Sequence, residues 1–135
     1  MALADRSVSS SAILMLDFEK AYDRVLWPFL ENVMRALGLP QKWRNCTSTL
    51  YRTATSSVMM VGTREPAFQL QLSVRQGCPL APYLYLFVTE AFSAYLQAPI
   101  NGLRGLPIPN AAKDLLLSEY ADDTVIFLQG DEGNL

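Results

Sequence analysis

The stretch "EYADDTVIF", residues 119–127, sets two adjacent acids, Asp122 and Asp123, between apolar runs. "LLL" (115–117) precedes it and "TVIFL" (124–128) takes over after the acids. Two apolar segments around a short polar break form the pattern of a β-hairpin. Asp suits the turn because it tolerates unusual φ and hydrogen-bonds its own backbone. A turn explains one acid more easily than two, because close carboxylates repel and a bound divalent cation removes that penalty. The pair therefore carries two readings, turn and metal site, and the rest of the chain decides between them.

The bulk numbers narrow the field. A chain of 135 residues, half of them apolar, suits one globular domain with a real core. The formal net charge of −2, from 11 basic and 13 acidic residues, fits a stand-alone nucleic-acid binder poorly. The absence of histidine removes Ser-His-Asp triads and His metal sites. Cys46 and Cys78 are too few and too far apart for a zinc finger and read as reduced core residues. "MALADRS" (1–7) lacks the basic start and apolar run of a signal peptide. The most apolar segment, 82–96, is broken by Glu90 and too short for a bilayer. The expectation is an intracellular protein, nuclear or cytoplasmic, with no membrane partner.

A pass along the chain gives an α+β order. Residues 1–12 read as a flexible lead-in, 13–128 as the core and 129–135 as a polar tail. "ILML" (13–16) reads as a buried strand ending at Asp17. A helix is expected over 28–37, with Pro28 in its first turn, Gly38 at its end, and Phe29, Leu30, Val33, Met34 and Leu37 on one face. Pro40 opens a second helix with Trp43, Cys46, Leu50 and Tyr51 inside. A hairpin follows: a strand over 58–61, a turn over 62–66, and strict alternation of Phe68, Leu70, Leu72 and Val74 with polar residues. A long apolar helix runs from Pro82 to about Gln97, then a Pro/Gly-rich connection with a short strand near 104–108. A last hairpin, 113–120 with 124–128, surrounds the Asp pair.

Asp17 closes one apolar strand, and Asp122 with Asp123 interrupts a hairpin. If those strands are neighbours, three carboxylates meet at one sheet edge with no His or Cys nearby. Mg²⁺ prefers such hard oxygen ligands, and an all-oxygen site suits two-metal phosphoryl transfer.

Three blocks in order, "LDFEKAYDRV" (16–25), "RQGCPLAPYLYLFV" (75–88) and "YADDTVIFL" (120–128), resemble motifs A, B and C of reverse transcriptases, and most nearly those of non-LTR (LINE-type) retrotransposons. The resemblance covers residues 13–128. It implies a polymerase palm-like fold, a mixed or antiparallel sheet backed by helices, with two Mg²⁺ (or Mn²⁺) ions as cofactors. It implies that Asp17, Asp122 and Asp123 are the catalytic, metal-holding acids, with Asp122 as a direct ligand and the Phe18 backbone carbonyl assisting. Tyr22 would be the steric gate beneath the nucleotide sugar, Gln76 and Gly77 would line the nucleotide side, and Tyr120 and Ala121 would flank the primer end. The partners would be an RNA template, a DNA primer and a dNTP. Read without the resemblance, Tyr22 is a packing aromatic, "QG" is a strand-to-helix turn, and Arg75 continues a solvent-facing alternation.

The pattern departs from the family at Ala81, where a Ser would cap the helix before Pro82. On the resemblance, the fingers and thumb are expected to be largely missing, with the later palm motifs. A palm fragment, weak or inactive by itself, is therefore expected. The alternative is a degenerate, non-catalytic retroelement remnant. An RNA-templated RNA polymerase is a third reading, and Tyr22 speaks against it.

Overall fold

A computed structural model describes residues 10–130. The outer parts of the expected lead-in and tail, 1–9 and 131–135, lie outside the described residues. The fold is mixed α/β, with three α-helices and antiparallel strand pairs. Every ladder among the described residues is antiparallel. The expected single domain resolves into two compact units: the residues up to Phe18 with those from Phe92 onward, and the continuous segment Glu19–Ala91.

The first unit is built on a three-stranded sheet. β1 (Ser10–Asp17) pairs with β7 (Asp123–Gly130), and β7 pairs on its other side with β6 (Leu117–Tyr120). β7 is the central strand and alternates as a half-covered strand should: Thr124, Ile126 and Leu128 are buried, while Asp123 is exposed. Pairing takes in Ser10–Ala12 and Gln129–Gly130, beyond both ends of the expected core. The strand expected near 104–108 is a single bridge, Leu106 with Leu115, closed by two backbone hydrogen bonds of 2.8 Å. Gly105 makes this approach possible, since a Cβ there would lie 2.5 Å from the Leu115 carbonyl oxygen.

The second unit packs helices and short strands around one core. α1 (Trp27–Ala36) carries Pro28 in its first turn, where a missing N–H costs nothing. It ends in a Schellman arrangement: Gly38 N–H donates to Arg35 O and Leu39 N–H to Met34 O, with Gly38 at φ 79°. Leu30, Val33 and Met34 are buried as expected, whereas Phe29 and Leu37 are exposed. α2 (Gln41–Arg52) turns a different face inward from the one its apolar residues suggest. Thr47 and Tyr51 are buried, while Trp43, Cys46 and Leu50 are exposed. On that face the Arg44 guanidinium meets Glu31 of α1 at 2.7 Å, and the Tyr51 ring packs on Trp27 with centroids 5.7 Å apart. Arg44, Thr47 and Tyr51 lie at i, i+3 and i+7, so the three share that face.

The alternation over 68–74 breaks up in the same unit. β2 (Thr55–Ser56) pairs with β5 (Phe68–Gln69), and β3 (Met59–Met60) pairs with β4 (Thr63–Arg64). Val61 and Gly62 form the β3–β4 turn with φ 47° and 80°, both positive as in a type I′ turn. Beyond Gln69 the chain changes partner: Leu72 bridges Leu26, Ser73 N–H donates to Val25 O, and Val74 N–H to Tyr22 O. The regular pattern thus serves several short contacts and no single strand. α3 (Ala81–Leu96) begins at Ala81, which is buried with Leu84 and Tyr85 beside Val25, Leu30, Met34 and Val74. The methyl at the position of the family's Ser is therefore core packing. Glu90 is exposed.

Met34→Ala should cost about 2–5 kcal/mol, because the side chain is 1% exposed and leaves a cavity. Both tryptophans, Trp27 and Trp43, lie in Glu19–Ala91, so denaturant unfolding followed by their fluorescence reads this loss. Gly105→Ala should destabilise the bridge by more than ~1 kcal/mol, seen as faster amide exchange at Leu106 and Leu115.

Candidate functional site

Two groups of candidate residues are distributed over the two units. Asp17, Phe18, Tyr120, Ala121, Asp122 and Asp123 belong to the sheet unit, and Tyr22, Gln76 and Gly77 to the helical one.

In the sheet unit the decisive geometry is the β1–β7 register, which sets Asp17 directly opposite Asp123. Directly opposed residues of antiparallel strands share a face, with Cβ atoms about 5 Å apart. Tyr120 stands opposite Asp123 on the other side, so Asp17, Asp123 and Tyr120 form one row across three strands. All three are exposed. The same face continues through Met15 and Ile13, which are exposed, as is Leu14, so 13–16 is a strand as expected but not the buried one. The opposite face carries Thr124 and Ile126, both buried. Among the described residues the ion pairs are Arg24–Glu19 and Arg44–Glu31, and neither reaches Asp17 or Asp123. A like-charged cross-strand pair costs stability, and a hard divalent cation is a chemistry that relieves it.

Asp122 lies in the two-residue connection Ala121–Asp122, since Tyr120 already pairs with Asp123. Ala121 takes φ 55° and Asp122 has no positive φ, the sign pattern of a II′ hairpin turn. Among the described residues no group of three or more His, Cys, Asp and Glu side chains gathers to hold an ion. The acids thus enter as a facing pair with a half-buried neighbour in the turn. The donors suit a hard cation: carboxylates only, at an open sheet end.

Residues next to these acids are tied to α3. The Phe18 ring meets the Phe92 ring edge-on, with centroids 5.5 Å apart and planes at 88°. The Ser93 hydroxyl, in a residue only 8% exposed, donates to the Glu119 carboxylate. Sequence patterning gave no sign of either contact. A serine in an apolar helix is the one available hint, and it is an ambiguous one.

In the helical unit Tyr22, Gln76 and Gly77 come together. They line a cavity of about 500 Å³ with Cys78, Pro79, Ala81 and Pro82. Gly77 takes φ 77°, which a side chain would resist. The Tyr22 ring stacks on Tyr85 at 4.8 Å and 14°, and its backbone carbonyl accepts the Val74 N–H. The stack holds the ring and the hydrogen bond holds the backbone that carries it. Cys78 is partly buried and Cys46 exposed, so the expectation of two core thiols fails for Cys46. Arg75 is exposed. Burial, then the neighbouring Cys78, pushes the Tyr51 phenol above its ordinary value, which keeps it neutral in the core.

Comparison with known proteins identifies the family. The family profile described as reverse transcriptase (RNA-dependent DNA polymerase) matches residues 2–134. The Transposon TX1 uncharacterized 149 kDa protein of Xenopus laevis is 32% identical over 93% of this chain and 9% of its own length. The Pol polyprotein of retrotransposable element R2 from Nasonia vitripennis is 30% identical over 90% of this chain and 11% of its own. That of R2DM from Drosophila melanogaster is 29% identical over 89% and 11%. The chain spans about a tenth of the length of these curated relatives. It belongs to the reverse transcriptase family, as a reverse transcriptase domain of the non-LTR, LINE type.

Proposed function

We propose that this domain carries the nucleotidyl-transfer site of an RNA-directed DNA polymerase on a palm-like sheet, with Asp17, Asp122 and Asp123 as its metal-holding acids. The observation that carries the reading is the register that faces Asp17 with Asp123 on the open side of the sheet. The partners on this reading are an RNA template, a DNA primer and a dNTP, and the cofactors are two Mg²⁺ or Mn²⁺ ions. Bound divalent cations would offset charge on the attacking and leaving oxygens of the phosphoryl transfer.

The chain's own contribution is placement. Two carboxylates stand on paired strands, which fix them more firmly than loops do. Asp122 adds the third carboxylate from the adjoining turn, and the Phe18 carbonyl adds a neutral oxygen beside Asp17. Tyr120 and Ala121 border the primer end. In the helical unit Gln76 and Gly77 offer backbone and amide groups to a nucleotide. Tyr22, braced by Tyr85, presents a flat ring that excludes a ribose 2′-hydroxyl. No membrane contact enters this reading, and no helix among the described residues is long and apolar enough to cross a bilayer.

By itself the chain is a weak or inactive polymerase on this reading. Phosphate-backbone binding rests on Lys and Arg, and a net charge of −2 supplies little of it. Phosphoryl transfer depends on positioning and electrostatics. A second reading, a non-catalytic remnant, draws support from the lack of a gathered three-carboxylate group among the described residues.

Thermal unfolding with and without Mn²⁺ separates the two. In EDTA, Asp123→Asn should raise stability by about 0.2–1 kcal/mol by removing the like-charge contact. Added Mn²⁺ should stabilise the wild type and leave the variant unchanged. Primer extension on an RNA template, in a protein containing this domain, should fall about a thousandfold in Asp123→Asn, matching several kcal/mol of charge stabilisation. No metal-dependent shift and no extension by the wild type would establish the remnant. Tyr22→Ala should raise ribonucleotide use relative to deoxynucleotide by at least about tenfold, read from the ratio of kcat/KM values.

A further inference from the structure

The two acids of the facing pair sit on different strands, β1 and β7, and one turn of α3 meets both the residue after β1 and β6, the strand paired with β7. Phe92 holds Phe18, the residue after Asp17. Ser93, the next residue of the helix, donates to Glu119, which precedes the Asp123 partner Tyr120. Glu119 stands opposite Thr124, which is buried, so the contact lies on the covered face beneath the acids. β6 is four residues long and lies at the sheet edge, so its ladder to β7 is short. The hairpin turn also holds a non-glycine residue at positive φ, Ala121, a conformation that persists only where the surroundings enforce it.

We infer that Ser93 is a positioning residue: with its neighbour Phe92 it clamps the β6–β7 hairpin and the end of β1 to α3, and so sets the spacing of Asp17 and Asp123. The metal consequence rests on the site proposed above, whereas the clamp itself does not. A buried hydroxyl donating to a carboxylate forms a charge-assisted bond, stronger than a neutral one. Its loss loosens the hairpin locally and leaves Glu19–Ala91 alone. Glu119 is exposed, so the contact can also be cut from the solvent side without opening a cavity.

The test uses the full chain and two readouts. Amide exchange should quicken about tenfold at Tyr120 and Asp123 in both Ser93→Ala and Glu119→Ala, the scale of a lost hydrogen bond to a charged group. Amides of α1 should keep their wild-type rates. Mn²⁺ affinity, followed by loss of the free-ion electron-spin-resonance signal, should fall by a similar factor. Ser93→Thr and Glu119→Gln, which keep a donor and an acceptor, should restore both. Unchanged hairpin exchange in the two alanine variants overturns the clamp. Quickened exchange with undiminished Mn²⁺ binding overturns its role in spacing the acids. Quickened exchange in a chain whose wild type binds no Mn²⁺ supports the clamp and overturns the metal site instead.

Discussion

The candidate site depends first on the pairing of β1 with β7. In a sheet a slip of one residue turns every side chain to the other face. Here such a slip would part Asp17 from Asp123 and expose the buried Thr124, Ile126 and Leu128. The burial of that row fixes the register along the strand. The far end is fixed differently: the Ser10 hydroxyl donates to Gly130 O at 2.6 Å, and a Cβ on Gly130 would lie 2.2 Å from the Ser10 oxygen. A bare glycine at one end of the ladder thus helps to align two carboxylates at the other.

The site also runs against stability. Like charges face one another, Tyr120 stands 83% exposed beside them, and the turn holds a strained alanine. None of these features favours the fold, and sites that act on ligands are where such conflicts concentrate. The apolar row of Ile13 and Met15 on the same open face is a further cost to solubility. The helical unit shows the opposite character, with Leu30, Met34, Leu84 and Val74 fully enclosed.

Much of this was legible in the sequence, for physical reasons that differ by element. β1, α1, α3 and the last hairpin announce themselves through period and punctuation: an apolar run ending in Asp17, Pro28 and Gly38 around α1, and the acids between two apolar stretches. The inner face of α2 was not legible, because it combines a polar Thr47 and an Arg44–Glu31 ion pair with Tyr51, while the apolar Trp43 and Leu50 face out. The 68–74 alternation misled because its backbone partners change from β2 to Leu26, Val25 and Tyr22 within six residues, and partner identity is a tertiary matter. For the acids, order along the chain suggested a trio. The strand ladder brings Asp17 and Asp123 opposite each other, and Asp122 stands outside that ladder, in the adjoining turn.

The sheet unit draws on both flanks of the helical segment, so its outermost pair, Ser10 with Gly130, closes across 120 residues. During synthesis β1 emerges first and its partner β7 last. The continuous segment Glu19–Ala91 can consolidate in between, because its contacts are more local. Until β7 arrives, the apolar β1 lacks the partner of its ladder and is open to mispairing or chaperone capture. The safety of the strand that carries the first acid therefore depends on how soon the second acid's strand is translated.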